Sequence, residues 1–288
     1  MKCVHHNDCD GRSAGAIVAY FTSNYNSENY FEDDYSGKFP YETFQNGEQV
    51  FLVDYSFTEK TKYILDKMIE NGCKIVHIDH HASSIELYEK YPEYKELDGI
   101  RSVENSGIAL TWMYFTGVND INKCPKFIQL ISDFDCWHLK MDSSINFKYG
   151  IQSYDYGPLS NIWIKLIKEY YNKYNETVDK IVEKGKIIKK YCENINKEFC
   201  IENSFETEIE GHKCIALNRT GDGSLVFGDL INKYPMAMTF NFNGEYYNFS
   251  IYSEDKSIQC NKIAEKYGGG GHKGAAGFKL EDMPFKKI

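Results

Sequence analysis

Hydrophobic and polar positions fall into two textures along the chain. Short unbroken apolar runs alternate with helix-spaced stretches up to about residue 200, and period-2 segments separated by tight turns follow. In the first part, residues 2–4, Val50-Phe51-Leu52-Val53 and residues 74–78 (KIVHI) are short and continuously apolar, the pattern of strands buried on both faces. Residues 13–21 predict a helix whose first turn is made of small residues. Ser56 and Glu59 have capping-box spacing ahead of Ile64, Leu65, Met68 and Ile69, which share one helical face until Gly72. Residues 24–47 are polar and glycine-containing and are expected to be mostly loop. Strand, helix and strand joined by short links predict a βαβ unit, whose right-handed crossover gathers the strand C-termini along one edge.

Further helices are expected over residues 105–117, 125–131 and 159–171. A longer one over 176–199 has Val178, Ile181, Val182, Gly185, Ile188, Cys192 and Ile195 on one face and a Lys/Glu-rich opposite face. It reads as a linker between domains, with a partner-binding helix as the alternative. Beyond it, residues 205–209 and 213–217 flank Glu210-Gly211-His212, and residues 236–242 face 245–251 across Asn243-Gly244, a hairpin signal. A helix over 257–267 delivers four glycines, Gly268 to Gly271, then His272 and Lys273; residues 275–280 form a closing strand. The expected architecture is α/β: a doubly wound, mostly parallel sheet over residues 1–175, a linker helix over 176–200 and a smaller α/β cap domain over 201–288.

Charge and cysteine usage narrow the classes. With 33 basic and 42 acidic residues the net charge is -9, which argues against a broad duplex-DNA footprint while leaving room for a short anionic substrate. The nine cysteines are odd in number, scattered and without a CxxC pair, so free thiols in a reducing cytoplasm are expected. The opening MKCVHHNDCDG lacks the apolar region of a signal peptide, and no run approaches a membrane span. The expectation is a cytoplasmic protein with no membrane partner; a homodimer stays open.

The chemistry sits where the apolar runs stop. Asp8 and Asp10 follow the first, Asp54 the second, and Asp79-His80-His81 the third, so the predicted crossover brings them to one sheet edge, where ligands of such folds gather. Asp133 follows a predicted helix and is the fourth candidate acid. Carboxylates with one or two imidazoles suit a pair of octahedral divalent ions, with Asp54 placed to bridge. Two such ions can share a hydroxide and clamp a phosphoryl group. Zinc on Cys3, His5, His6 and Cys9 is the competing reading, disfavoured because Cys3 lies inside a strand and the acids favour harder metals. The glycine run could turn backbone N–H groups into a phosphate nest, with His272 and Lys273 adding charge; a flexible loop is the plainer alternative. His77, inside the third run, reads as a core histidine. Asp135 reads as a helix-end partner as readily as a ligand, His138 as a residue of surface or site, and His212 as a hairpin residue.

Five motifs in order, His6-Asn7-Asp8-Cys9-Asp10-Gly11, Val53-Asp54, Asp79-His80-His81, Asp133 with Asp135-Cys136-Trp137, and GGGGHKGAAGF over 268–278, give a chain that resembles the DHH phosphoesterases carrying a C-terminal DHH-associated domain, in the nanoRNase-like branch. The resemblance runs almost end to end. It implies a manganese-dependent hydrolase with two Mn2+ ions per site, Mg2+ or Co2+ being possible substitutes. Carried over by position, His6, Asp8, Asp10, Asp54, His80 and Asp133 would be metal ligands, with His6 able to touch phosphate instead. Asp79 would orient an imidazole, and His81 would meet the scissile phosphate. Gly269, Gly270, Gly271, His272 and Lys273 would bind substrate. The chain departs from the family where nanoRNase-like members often place an arginine before a strand serine. Here the sequence is Ser250-Ile251-Tyr252-Ser253, so Tyr252 could stack on a base and Arg219 could supply the cation. The substrate implied is a short single-stranded oligonucleotide or linear dinucleotide, cut to mononucleotides. Rivals on the same site are a cyclic-dinucleotide phosphodiesterase, a phosphoadenosine-phosphate phosphatase or a polyphosphate hydrolase. A nucleotide-binding module is the non-enzyme alternative.

Overall fold

The three apolar runs form three adjacent strands of a four-stranded parallel sheet in the computed structural model, which describes residues 1–35 and 39–288. Strand β1 (Lys2–His6) leads through α1 (Cys9–Thr22) to β2 (Tyr30–Asp33); β3 (Gln49–Val53), α2 (Lys62–Glu70) and β4 (Lys74–Ile78) follow. The order is β2-β1-β3-β4, so the chain winds one way from β1 to β2 and the other way to β3 and β4. The reversal between β1 and β3 is a topological switch point, and it sits beside the residues that follow both strands.

Alternate strand residues serve two layers. Val4, Val50, Leu52 and Ile75 share a core with α2 and with α3 (Ala82–Lys90). Cys3, Phe51, Val53, Val76 and Ile78 share another with α1, α4 (Gly107–Thr116), α5 (Lys126–Asp135), α6 (Ser144–Ile151) and α7 (Asn161–Tyr171). Both faces are covered, which is why these strands read as unbroken apolar runs. Truncating fully buried Leu52 to alanine would cost about 2–5 kcal/mol.

Two local expectations change. The stretch expected as loop contains β2, which pairs with β1 from Cys3–Tyr30 to His6–Asp33. It is a four-residue edge strand, only Asp33 of which is buried, so it lacks the apolar run of its neighbours. Residues 36–38 of that stretch lie outside the described residues. Ser56 does not cap a helix: α2 starts at Lys62, and Ser56 Oγ instead meets Ser83 Oγ at 2.6 Å, tying the end of β3 to α3.

The chain divides into two compact units, Met1–Lys189 and Lys190–Ile288, with the boundary inside α8 (Glu176–Asn203). Val178, Ile181 and Val182 complete the first unit's core, whereas Cys200 is buried in the second unit's. The long helix is thus part of both units. The second unit holds β5 (Phe205–Ile209), β6 (His212–Asn218), β7 (Met236–Phe242), β8 (Tyr247–Tyr252), α9 (Cys260–Lys266), β9 (Gly270–Gly271) and β10 (Ala275–Leu280). Its six-stranded sheet has the order β5-β6-β7-β8-β10-β9, antiparallel except between β6 and β7. At the β7–β8 turn, Asn243 Oδ1 accepts the backbone N–H groups of Glu245 and Tyr246, the local bonding that makes Asn a turn residue. No helix among the described residues is long and apolar enough to cross a membrane.

Candidate metal centre

Beyond the C-terminal ends of β1, β3 and β4, acids and imidazoles converge from four segments. Asp8 caps α1, its Oδ1 accepting the Gly11 N–H at 2.8 Å, while its Oδ2 lies 3.0 Å from His6 Nδ1. Two residues on, Asp10 is buried and reaches the start of α4. It accepts hydrogen bonds from Ser106 Oγ (2.7 Å), the Gly107 N–H (2.5 Å) and the Ile108 N–H (3.0 Å). Close approach here requires glycine: a Cβ on Gly107 would lie 2.5 Å from Asp54 Cβ and 2.9 Å from Asp10 Oδ2.

Asp54 is the unusual member. It follows β3 with φ at +52, a left-handed backbone that only glycine, asparagine and aspartate adopt readily. Its N–H is bonded to the Ile78 carbonyl, which holds the turn. It is 1% exposed, yet neither carboxylate oxygen receives a hydrogen bond among the described residues, although His80 Nε2 lies 3.2 Å from Oδ1. The same His80 Nε2 is 3.3 Å from Asp135 Oδ2 and 3.9 Å from Asp10 Oδ2. Asp79, at the end of β4, is fully buried, and its Oδ1 accepts the Nδ1–H of His81 at 2.7 Å. That bond fixes the tautomer and turns Nε2 of His81 away from Asp79.

The electrostatics follow from the crowding. Burial, then the charges of Asp10, Asp8, Asp135 and Asp79, push the Asp54 carboxyl well above the usual carboxylate range. Asp135 is pushed up in the same way by burial and by Asp10 and Asp8. Burial also raises Asp10, more than His80 lowers it. For Asp8 and Asp79, burial is outweighed by hydrogen-bonded imidazole neighbours: His6 holds Asp8 low and His81 holds Asp79 low. A buried carboxylate without donors, in a field that resists its ionisation, suits a bound cation. Ligand-capable atoms lie within 4.8 Å of one another in four sets here: His6, Asp8 and Asp54; Asp10, Asp54 and His80; Asp54, Asp79 and His81; His80, Asp135 and Cys136. Asp54 joins three of them, which fits divalent ions held by mixed oxygen and nitrogen donors.

The acid from α5 differs from the one expected. Asp133 turns away: its two oxygens accept the N–H groups of Lys140 and Met141 at 2.9 and 3.0 Å and brace the loop after α5. Asp135, two residues on, faces His80 instead. Side chains two apart on a helix diverge, so only one of the pair could point inward. Tyr35 was missed altogether, because it lies in the stretch expected as loop. Its ring stacks on Tyr55, sits 5.2 Å from the His6 ring, and its hydroxyl accepts the Ser56 N–H at 3.0 Å. His5 is buried, with Nδ1 2.9 Å from the His6 carbonyl, and Cys3 is a core residue, so neither joins a zinc set. His77 is a core residue, bonded to Tyr88 Oη and the Tyr55 carbonyl. His138 is exposed, outside these sets.

In the second unit several N–H groups of the glycine run are already engaged within the unit. The N–H groups of Gly268 and Gly269 are bonded to the Glu265 and Ala264 carbonyls of α9, and that of His272 to the Ala275 carbonyl. Gly270 and Gly271 pair with β10 as strand β9. A Cβ on Gly269 would lie 2.0 Å from the Gly277 carbonyl oxygen, so close packing on β10 accounts for that glycine. His272 and Lys273 follow at the turn. Arg219 lies over the Phe199 ring, and Tyr252 packs partly buried against the core around Val226 and Phe227.

No family model matches the chain. An uncharacterized protein of Acanthamoeba polyphaga mimivirus is 25% identical over 266 residues, and the match covers 83% of this chain and 56% of the relative, so the chain spans little more than half its length. The DHH domain of a member of a family of ribosomal proteins is similar in structure, with a TM-score of 0.55 and 14% identity over 97% of this chain and 82% of that one. RecJ of Thermus thermophilus, in complex with Mn2+, aligns with a TM-score of 0.50 and 13% identity over 97% of this chain and 49% of RecJ. At such identities the likeness is one of architecture, and on that ground the chain has the fold of the DHH-domain proteins.

Proposed function

We propose that the protein is a metal-dependent phosphoesterase that uses manganese to hydrolyse short oligonucleotides or linear dinucleotides to mononucleotides. The observation that carries this reading is Asp54, a buried carboxylate with no hydrogen bond among the described residues, ringed by Asp8, Asp10, Asp79, Asp135 and three histidines. Such crowding repels phosphate unless cations neutralise it, and a structural cluster would have satisfied those oxygens. His6, Asp8, Asp10, Asp54, His80 and Asp135 would hold two ions, with Asp54 shared. When bound, the ions would polarise a phosphoryl group and lower the pKa of water. Asp79 keeps the Nδ1 proton of His81, so Nε2 can meet the phosphate and serve the leaving oxygen. The side chains of His272 and Lys273, rather than the glycine N–H groups, are the better candidates in the second unit for binding phosphate. Tyr252 and Arg219 already have partners in their own unit, so we give them a smaller part.

Purified protein tested with Mn2+, Mg2+ and chelator against linear and cyclic dinucleotides, graded RNA and DNA, phosphoadenosine phosphate and polyphosphate decides the matter. Manganese-dependent turnover that prefers short oligomers is expected. Chelator-insensitive activity, or none on any substrate, would refute it.

A further inference from the structure

Cys136 follows Asp135 at the end of α5, and the two side chains would be expected to diverge. They do not. The Cys136 Sγ, a carboxylate oxygen of Asp135 and a ring nitrogen of His80 all lie within 4.8 Å of one another. The helix stops at Asp135; Cys136 takes the cap position with its N–H on the Ser132 carbonyl, and Trp137 turns left-handed at φ +53. An independent observation marks the same place: Asp54, 1% exposed and without a hydrogen bond on either oxygen among the described residues, directs Oδ1 to within 3.2 Å of His80 Nε2. Around a divalent ion with bonds of about 2.0–2.3 Å to nitrogen, oxygen and sulfur, neighbouring ligand atoms sit roughly 3–4 Å apart. The approaches of His80 Nε2 to Asp54 Oδ1 at 3.2 Å and to Asp135 Oδ2 at 3.3 Å match that spacing, and Cys136 Sγ lies within 4.8 Å of the His80 and Asp135 atoms.

We propose that Cys136 Sγ is a ligand of the ion held by His80, Asp54 and Asp135, making this position selective for borderline-soft divalent ions such as Zn2+ and Co2+ over Mg2+. This rests on reading the cluster as a metal centre. The position around His6, Asp8 and Asp54 offers only oxygen and nitrogen, so the two positions differ in hardness and a mixed pair of ions is favoured. Binding at the sulfur-bearing position releases the thiol proton to solvent. Cys9, which opens α1 beside Asp8 and Asp10, is the natural control thiol.

Cobalt titration of the full chain under anaerobic conditions is the test. A near-ultraviolet sulfur-to-cobalt charge-transfer band should saturate with the first equivalent, survive in Cys9→Ser and vanish in Cys136→Ser. Zn2+ should bind Cys136→Ser on the order of 10- to 100-fold more weakly, with Mg2+ binding little changed. Should the serine variant misfold, iodoacetamide labelling of the unaltered protein replaces it: Zn2+ should shield Cys136, located by peptide mass. Cobalt bound without the band, a band that persists in Cys136→Ser, or labelling of Cys136 indifferent to Zn2+ would overturn the proposal and leave the metal-centre reading standing. No cobalt or manganese binding at all would remove both.

Discussion

Replacing Asp54 by Asn should stabilise the metal-free protein while removing its response to manganese. Asn keeps the shape and tolerates the left-handed backbone at φ +52, so the change isolates charge. Asp8, Asp10 and Asp79 each offer an oxygen within 4.8 Å of a ligand atom of Asp54. Two full charges at 4.8 Å repel by about 3.5 kcal/mol at an effective dielectric of ~20. Proton uptake relieves part of this in the unaltered protein, so a gain of about one pair's repulsion is the reasonable scale. For a unit of this size about 3 kcal/mol moves the melting temperature by roughly 6–12 °C. The pH dependence has a definite sign. The folded pKa of Asp54 is raised above its unfolded value, so its own contribution to metal-free stability is greatest below the unfolded carboxylate range and falls as pH rises towards the folded pKa. The advantage of Asp54→Asn should therefore grow with pH. Melting curves in chelator and in graded Mn2+, at acid and at mildly alkaline pH, measure all of this. A variant less stable than the parent in chelator at alkaline pH, with an undiminished manganese shift, would show that Asp54 is neither crowded nor a ligand.

Exchanging the two acids of α5 should separate structure from metal binding. Asp133→Ala loses two backbone hydrogen bonds to a charged group and should cost about 2–4 kcal/mol in urea titrations with Mn2+ stoichiometry intact, whereas Asp135→Ala should lose an ion by calorimetry and little stability. Asp79→Asn should leave Mn2+ affinity nearly unchanged and lower kcat on the order of 100-fold, because the His81 tautomer is no longer imposed; an unaltered kcat would dismiss His81 as the proton donor. Gly107→Ala should destabilise by about 1–3 kcal/mol and weaken Mn2+ binding, since the new methyl group falls on Asp54 and Asp10.

What could be read in the sequence was whatever depends on local pattern. β3 and β4 are continuous apolar runs because both sheet faces are covered, and acids at their ends follow from the switch point. β2 escaped because an edge strand of four residues, three of them partly or fully exposed, need not carry a pattern. The choice between Asp133 and Asp135 turned on the rotation of α5 about its axis, which is set by packing against other elements. The capping-box reading of Ser56 failed because its hydroxyl found a tertiary partner, Ser83, that sequence spacing cannot foresee. At Gly269 a requirement for close strand packing is present, and in sequence it looks the same as a requirement for an open cradle.

The ownership of α8 by two cores bears on how the molecule comes apart. Its early turns carry Val178 and Ile181 of one core and its late turns Cys200 of the other, within a single 28-residue helix. Unfolding either unit strips half the helix of its packing and leaves a fraying end at the other's edge, so the units are thermodynamically linked through shared backbone hydrogen bonds. Calorimetry should then give heat-absorption peaks that overlap, and ligands that stabilise the first unit should also raise the transition of the second.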